Sequence, residues 1–140
     1  MKKQYILLFL SYMLTSCSQN KLSRSYNKQM KESYIYNFKI IYFKKSLIQG
    51  FNNTEEVRNF ISKDNSGFSE NILTLEDYHI VDSFIKIDNY IMIKDSIGSI
   101  GRVAEGAEGK QVFTNALYKF NSKWLDSLAK ARWKLSKDNY

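Results

Sequence analysis

The segment Thr74 to Lys94, TLEDYHIVDSFIKIDNYIMIK, constrains the fold more than any other part of the chain. Thr74 stands three residues before Asp77. At that spacing an N-cap side chain and a carboxylate at the third helical position satisfy each other's backbone donors. Behind this start signal, Tyr78, Val81 and Ile85 share one helical face, and Ile80, Phe84, Ile87 and Ile91 share an adjoining one. Asp82, Lys86 and Asp88 fall outside both stripes. The pattern is that of an amphipathic helix, which needs other elements to cover its apolar side.

The flanking sequence supplies helical patterns as well. In Tyr34 to Phe51, Ile35, Phe38, Ile41 and Tyr42 recur at helical spacing, and Gly50 with Asn52-Asn53 stops the run. Asn53, followed three residues on by Glu56, predicts a capped second helix whose apolar face is Val57, Phe60 and Ile61. It ends near Lys63, and Asp64-Asn65-Ser66-Gly67 is a turn cluster. Asp95 to Gly109 holds four of the chain's six glycines and is predicted to be a loop. Val112, Phe113, Ala116, Leu117 and Phe120 resume helical spacing. Asn121 or Ser122 can cap a last helix carrying Trp124, Leu125, Leu128, Ala131 and Leu135. Lys130, Arg132, Lys134 and Lys137 crowd its end, where cations suit the helix dipole, and they read as a solvated face. The expected fold is therefore all-α, a small bundle of about five helices occupying residues 33–140.

Ahead of the bundle lies MKKQYILLFLSYMLTSC. Lys2 and Lys3 form a positive start, Tyr5 to Leu14 is almost unbroken apolar sequence, and small or polar residues follow. This is the build of a secretory signal peptide, and it is shorter than the ~20 apolar residues of a comfortable membrane span. Leu14-Thr15-Ser16-Cys17 resembles a bacterial lipobox. On that reading residues 1–16 are removed, Cys17 is lipidated, and residues 17–32, rich in Ser, Asn and Lys, form a tether. Two or more acyl chains would hold the protein firmly on a bilayer. Ser18 follows the cysteine where a retention signal would place Asp, so the expected address is the periplasmic side of the outer membrane. Removing Lys2 and Lys3 lowers the net charge from +7 to +5.

Charge and residue counts narrow the chemistry. Acids are interleaved with bases along the chain, which argues for an acidic protein or anionic lipid partner and against nucleic acid. With one cysteine and one histidine, a disulfide within the chain, a thiolate zinc site and a two-imidazole metal site are excluded. His79 lies mid-helix with no nucleophile marked beside it, and Glu76, Asp77 and Asp82 read as cap and solvated face. SIGSIGRVAEGAEGK has neither GxGxxG nor GxxxxGK[ST], so no nucleotide cofactor is expected. The sequence predicts a protein without catalytic residues, metal or cofactor. The glycine-rich stretch reads instead as a projecting contact loop, with Gly101, Arg102, Val103, Glu105, Gly106, Glu108 and Gly109 as candidate partner-binding residues.

The run from Asn115 to Leu128, NALYKFNSKWLDSL, resembles a pattern in immunity proteins against type VI secretion amidases, with Leu117, Ser122, Leu125 and Asp126 matching. Tyr36 to Phe51 and Glu76 to Tyr90 are loosely similar to the family's first and middle helices. The family carries a cysteine in each of two helices. Ala116 stands at one of these positions and Ile41 or Tyr42 at the other, so the family's bridge, worth about 2–4 kcal/mol, is replaced by packing. The resemblance implies a small helical periplasmic protein, often homodimeric. Such a protein binds a peptidoglycan amidase and occludes its active-site cleft with a protruding loop. The alternative reading is a non-catalytic adaptor or structural lipoprotein of a cell-envelope complex.

Overall fold

The computed structural model describes residues 2–66, 72–101 and 109–137, with side chains from residue 24 onward. The fold is all-α: α1 (Lys2–Gly50), α2 (Glu55–Ser62), α3 (Leu75–Ser99), α4 (Val112–Phe120) and α5 (Lys123–Ser136). The chain divides into two compact units, Met1–Ser33 and Tyr34–Tyr140. In the first, the polar stretch 18–30 expected as a tether is helical. No glycine or proline occurs between residues 2 and 49, so nothing in that stretch breaks a helix. Cys17 lies in this helix, and its side chain is outside the described residues. No helix among the described residues is long and apolar enough to cross a membrane.

In the second unit, residues 34–50 of α1 form the spine of the core. Tyr34, Phe38 and Tyr42 are fully buried, and Leu47 nearly so. Ile35 and Ile41, expected on the same face, are half-buried at its edges. Aromatic rings radiate from this spine. Tyr34 meets Trp133 at 5.3 Å, Tyr42 meets Trp124 at 6.0 Å, and Phe43 meets Phe120 at 5.8 Å. Such tilted pairs add about 0.5–1.5 kcal/mol each beyond the area they bury.

Asn52, rather than Gly50, ends α1. Its φ of 58° is left-handed, its N–H donates to Gln49 O at 3.1 Å, and the N–H of Asn53 reaches Ile48 O at 2.8 Å. These two bonds form the Schellman arrangement that satisfies the last carbonyls of a helix. Asn53 (φ 57°) is thus spent on ending α1 and does not cap α2; Thr54 takes that place without a side-chain bond. Gly50 has another role. A Cβ there would lie 2.5 Å from Val112 Cγ1, so its bare Cα lets α1 press against the start of α4. Leu47, Val112 and Ala116 form the buried cluster at this crossing, with Phe43, Phe51, Ile61 and Met92 around it.

α2 is held mainly from outside. None of its residues is buried, and Phe60, expected on its inner face, is 74% exposed. Ile61 alone of the expected trio packs on the Leu47 cluster. Lys44 Nζ tethers the following turn, donating to the carbonyls of Asp64 and Ser66, both at 2.8 Å.

The start of α3 is the capping box read from the sequence. Asp77 N–H donates to Thr74 Oγ1 at 3.3 Å, and Thr74 N–H donates to Asp77 Oδ2 at 2.9 Å. Asp77 is fully buried, and its second oxygen accepts from Arg132 Nε of α5 at 2.8 Å. The terminal nitrogens of Arg132 grip Glu76, Nη1 at 3.1 Å and Nη2 at 3.0 Å. Arg132 is therefore buried and is no part of the solvated basic face expected for α5. The buried stripe of α5 is Leu125, Ala129, Arg132 and Ser136, which leaves Leu135 69% exposed and Ala131 exposed. Burial works against ionisation of Asp77. The Arg132 guanidinium and the Thr74 donors outweigh it and hold the carboxyl below its ordinary value.

Two expectations follow for stability. Arg132→Met leaves Asp77 buried with its charge unpaired and lowers the unfolding free energy by about 3–5 kcal/mol, read from urea melts of the full chain. Asp77 stabilises fully above its unfolded value of about 3.9, and this contribution is lost as pH falls through the lower folded value. Asp77→Asn removes that part of the acid dependence; an unchanged slope below about pH 4 would place the acid-sensitive group elsewhere. Separately, Gly50→Ala destabilises by about 1–3 kcal/mol through the clash with Val112, and Val112→Ala in the same chain recovers part of it.

Candidate functional site

α3 continues through Asp95–Ser99, where the glycine content predicts a loop. A single interior glycine costs a helix about 1 kcal/mol relative to alanine. Gly98 is placed where a Cβ would meet nothing within 4 Å, so the helix absorbs it. The chain leaves the helix at Gly101, whose φ of 71° belongs to the left-handed region, and Gly109 with φ 109° stands before α4. These two candidate contact residues are in place at the ends of the segment. Arg102, Val103, Glu105, Gly106 and Glu108 lie outside the described residues.

The helix ends on either side of this segment are unusually apolar outside. The second half of α3 carries apolar residues all round, and only one side packs. Val81 and Ile85 are buried, but Tyr90 is 67% exposed, Ile97 65% and Ile100 63%. Ile87 and Ile91, expected on the packed side, are also about half exposed. On α4, Val112 and Ala116 point inward, while Phe113, Leu117 and Tyr118 stand out. The expected α4 face is thus half correct: Phe113 only touches the Phe51 ring, at 5.8 Å, from a largely exposed position.

Between α3 and α4, with Ser46 of α1 at its base, lies a groove of about 130 Å³. Ile85, Ile91, Met92, Val112 and Ala116 give it apolar walls. Its polar groups differ in how they are used. Asp88 is satisfied on both oxygens, by Tyr42 Oη at 2.6 Å and Lys119 Nζ at 2.8 Å. Burial first, and then the bond to Asp88 and its charge, push the Tyr42 phenol well above its usual value, so it stays a donor. Lys119 also sits 4.7 Å over the Trp124 ring. Asn89 Oδ1, by contrast, is buried without a hydrogen-bond partner, and Asp95 is exposed with no ion pair or hydrogen bond among the described residues.

The other residues considered for chemistry are dispersed or occupied. The His79 side chain is exposed on α3. Glu76 and Asp77 are bound to Arg132, and Asp82 pairs with Lys45 at 2.5 Å. Among the described residues no group of three or more His, Cys, Asp or Glu side chains is placed to hold a metal ion. At the end of α5, Lys130 is paired with Asp126 at 2.5 Å.

The groove and its polar groups were not singled out from the sequence. The signal was present: between Phe84 and Ile100, apolar residues occupy more of the helix circumference than one packed face needs. The residues shared with the amidase-immunity pattern have structural positions. Ser122 caps α5 by accepting from Leu125 N–H at 3.2 Å, Leu125 is fully buried, and Asp126 forms the pair with Lys130. Ala116, at the family's cysteine position, is 3% exposed in the Leu47 cluster. Comparison with protein-family models, with curated proteins and with solved structures finds no match to this chain.

Proposed function

We propose that the chain is a lipid-anchored periplasmic immunity protein. In this reading it binds a peptidoglycan amidase delivered by type VI secretion and occludes its cleft with the 101–109 segment. The observation that carries the binding part is the exposure of Ile97, Ile100, Phe113 and Leu117 on the two helix ends that bracket that segment. Apolar side chains so concentrated on a small domain support a surface that another protein covers. The amidase as partner rests on the resemblance of residues 115–128, and the anchor rests on the lipobox-like Leu14 to Cys17. The protein contributes no chemistry of its own in this reading; it excludes substrate by contact. Ile100 supplies buried area at the centre of the contact, and Arg102 and Glu105 fix orientation at its rim.

Periplasmic co-expression with a cell-wall amidase encoded beside this chain tests the reading. The full chain restores growth, and a chain in which residues 101–109 are replaced by a short Gly-Ser linker does not, while its far-ultraviolet circular dichroism stays helical. Protection that survives the replacement removes the segment from the mechanism. Failure of the intact chain to bind any such amidase removes the amidase. Cys17→Ala moves the protein from the membrane fraction to the soluble one if the cysteine carries lipid.

A further inference from the structure

We propose that α5 docks on an anionic phospholipid surface through its outward lysines. Lys123, Lys130, Lys134 and Lys137 follow one another at steps of seven, four and three residues, so they stand on one side of the helix. All four are exposed. Their charge is largely unspent. Among the described residues Lys130 pairs with Asp126 at 2.5 Å, while the side chains of Lys123, Lys134 and Lys137 have no ion pair or hydrogen bond. Asp138 follows outside the described residues, and the four lysines outnumber it and Asp126 two to one. Arg132, the remaining cation of α5, is turned inward and held by Asp77 and Glu76.

What lies beside the lysines fits a bilayer. Trp124, Ala131 and Leu135 recur at steps of seven and four residues and flank the lysine row, all three exposed. Leu75 is 81% exposed at the start of α3, the end of the bundle where Arg132 holds Glu76. Lysines alongside tryptophan and leucine suit the boundary between headgroups and acyl chains, where the charge stays in water and the apolar groups enter. Place on the chain points the same way. The Trp133 ring meets Tyr34 at 5.3 Å, and Tyr34 is where the chain enters this unit from residues 1–33. An anchor at Cys17 is therefore joined to the unit beside the lysine-bearing end of α5; this placement rests on the anchored reading of residues 1–17. Lipid is favoured over an acidic protein because the row consists of long, exposed side chains with no buried donor or pocket to fix one partner geometry. Mobile headgroups of like charge need neither.

The test places the full chain on two kinds of nanodisc, phosphatidylcholine alone and phosphatidylcholine mixed with phosphatidylglycerol. Both carry a trace of lipid with a gadolinium-chelating headgroup. Broadening of the Leu75 and Leu135 methyl signals is compared with that of Ile97, at the other end of α3. The expected result is stronger broadening at Leu75 and Leu135 than at Ile97 on the phosphatidylglycerol discs, fading on neutral discs and at high salt. Lys134→Gln lowers the docked-to-undocked ratio about fivefold, and Lys137→Gln added to it about fivefold again. Leu135→Gln also lowers it. The melting temperature of the lysine variants stays unchanged, because both side chains are exposed. Equal contrast on the two discs, no contrast on either, or contrast that survives the lysine substitutions overturns the proposal. So do Ala131 methyl shifts that saturate with soluble polyglutamate or with free glycerol phosphate while phosphatidylglycerol discs give none; these assign the row to an acidic protein or to a free anion. The anchor is read separately. A chain that leaves neutral discs but stays on phosphatidylglycerol ones sinks the anchor and keeps the docking face. A chain held equally on both without methyl contrast sinks the docking face and keeps the anchor.

Discussion

The Asp77–Arg132 pair ties the start of α3 to α5 across 55 positions of sequence. One carboxylate closes the first turn of α3 through Thr74 and receives Nε of Arg132 from α5. Arg132 in turn holds Glu76, and its carbonyl accepts from Ser136 Oγ at 3.0 Å. Above this network lies the buried ring of Tyr34 from α1. Burial, together with the neighbouring Asp77, raises the Tyr34 phenol far above its usual value, so it stays neutral beside the charges. A buried charge pair adds little net stability compared with well-packed apolar residues. Its value is geometric. The fork of the guanidinium accepts carboxylates in few arrangements, so the rotation of α5 about its axis is specified along with its distance from α3.

At the opposite end of the bundle the constraint is steric. Gly50 and Val112 touch so closely that α4 is fixed against α1 by the missing side chain, and Lys110 Nζ donates to Asn52 Oδ1 at 2.6 Å just beyond. Between the two ends Asp88 collects Tyr42 and Lys119, bridging α1, α3 and α4. The three anchors lie at successive levels of α3: Asp77 at its start, Asp88 near its middle, and Val112 against the Met92 level. Beyond Met92 no comparable anchor is found among the described residues, and α3 continues toward Ser99 with its isoleucines outward. The site is what this arrangement leaves over.

Much of the fold was legible because helix signals are local. The Thr74–Asp77 box, the Ser122 cap and the stop at Asn52-Asn53 follow from hydrogen bonds within a few residues. What sequence reading missed depends on contacts between distant residues. Arg132 looks like one cation in a basic helix end, and only the presence of Asp77, 55 positions away, makes it a core residue. Periodicity accordingly puts the α5 stripe on Ala131 and Leu135, a step off the buried Ala129, Arg132 and Ser136. The four glycines of 95–109 predict a loop, but the isoleucines around Gly98 outweigh its single-residue cost and α3 runs on to Ser99. Periodicity alone points Phe60 inward, but a two-turn helix has too few anchors for its pattern to decide its facing.

The same distinction bears on function. Ser122, Leu125 and Asp126, which carry most of the likeness to the amidase-immunity pattern, are a cap, a core residue and a first-turn ion pair. Any helix–turn–helix that joins a short helix to a capped one needs residues of these kinds, so packing is sufficient to produce them. They speak for how α4 and α5 are joined, and a function is better sought in residues freed from such duties. Those are the outward isoleucines of α3 and the outer face of α4. A fold of this size, with α2 contributing no buried residue, gains nothing in stability from leaving Ile97 and Ile100 in water or an amide oxygen unmatched. The exposure of the two isoleucines is a cost that packing within the described residues does not offset, and it is the observation that supports reading this face as a contact surface.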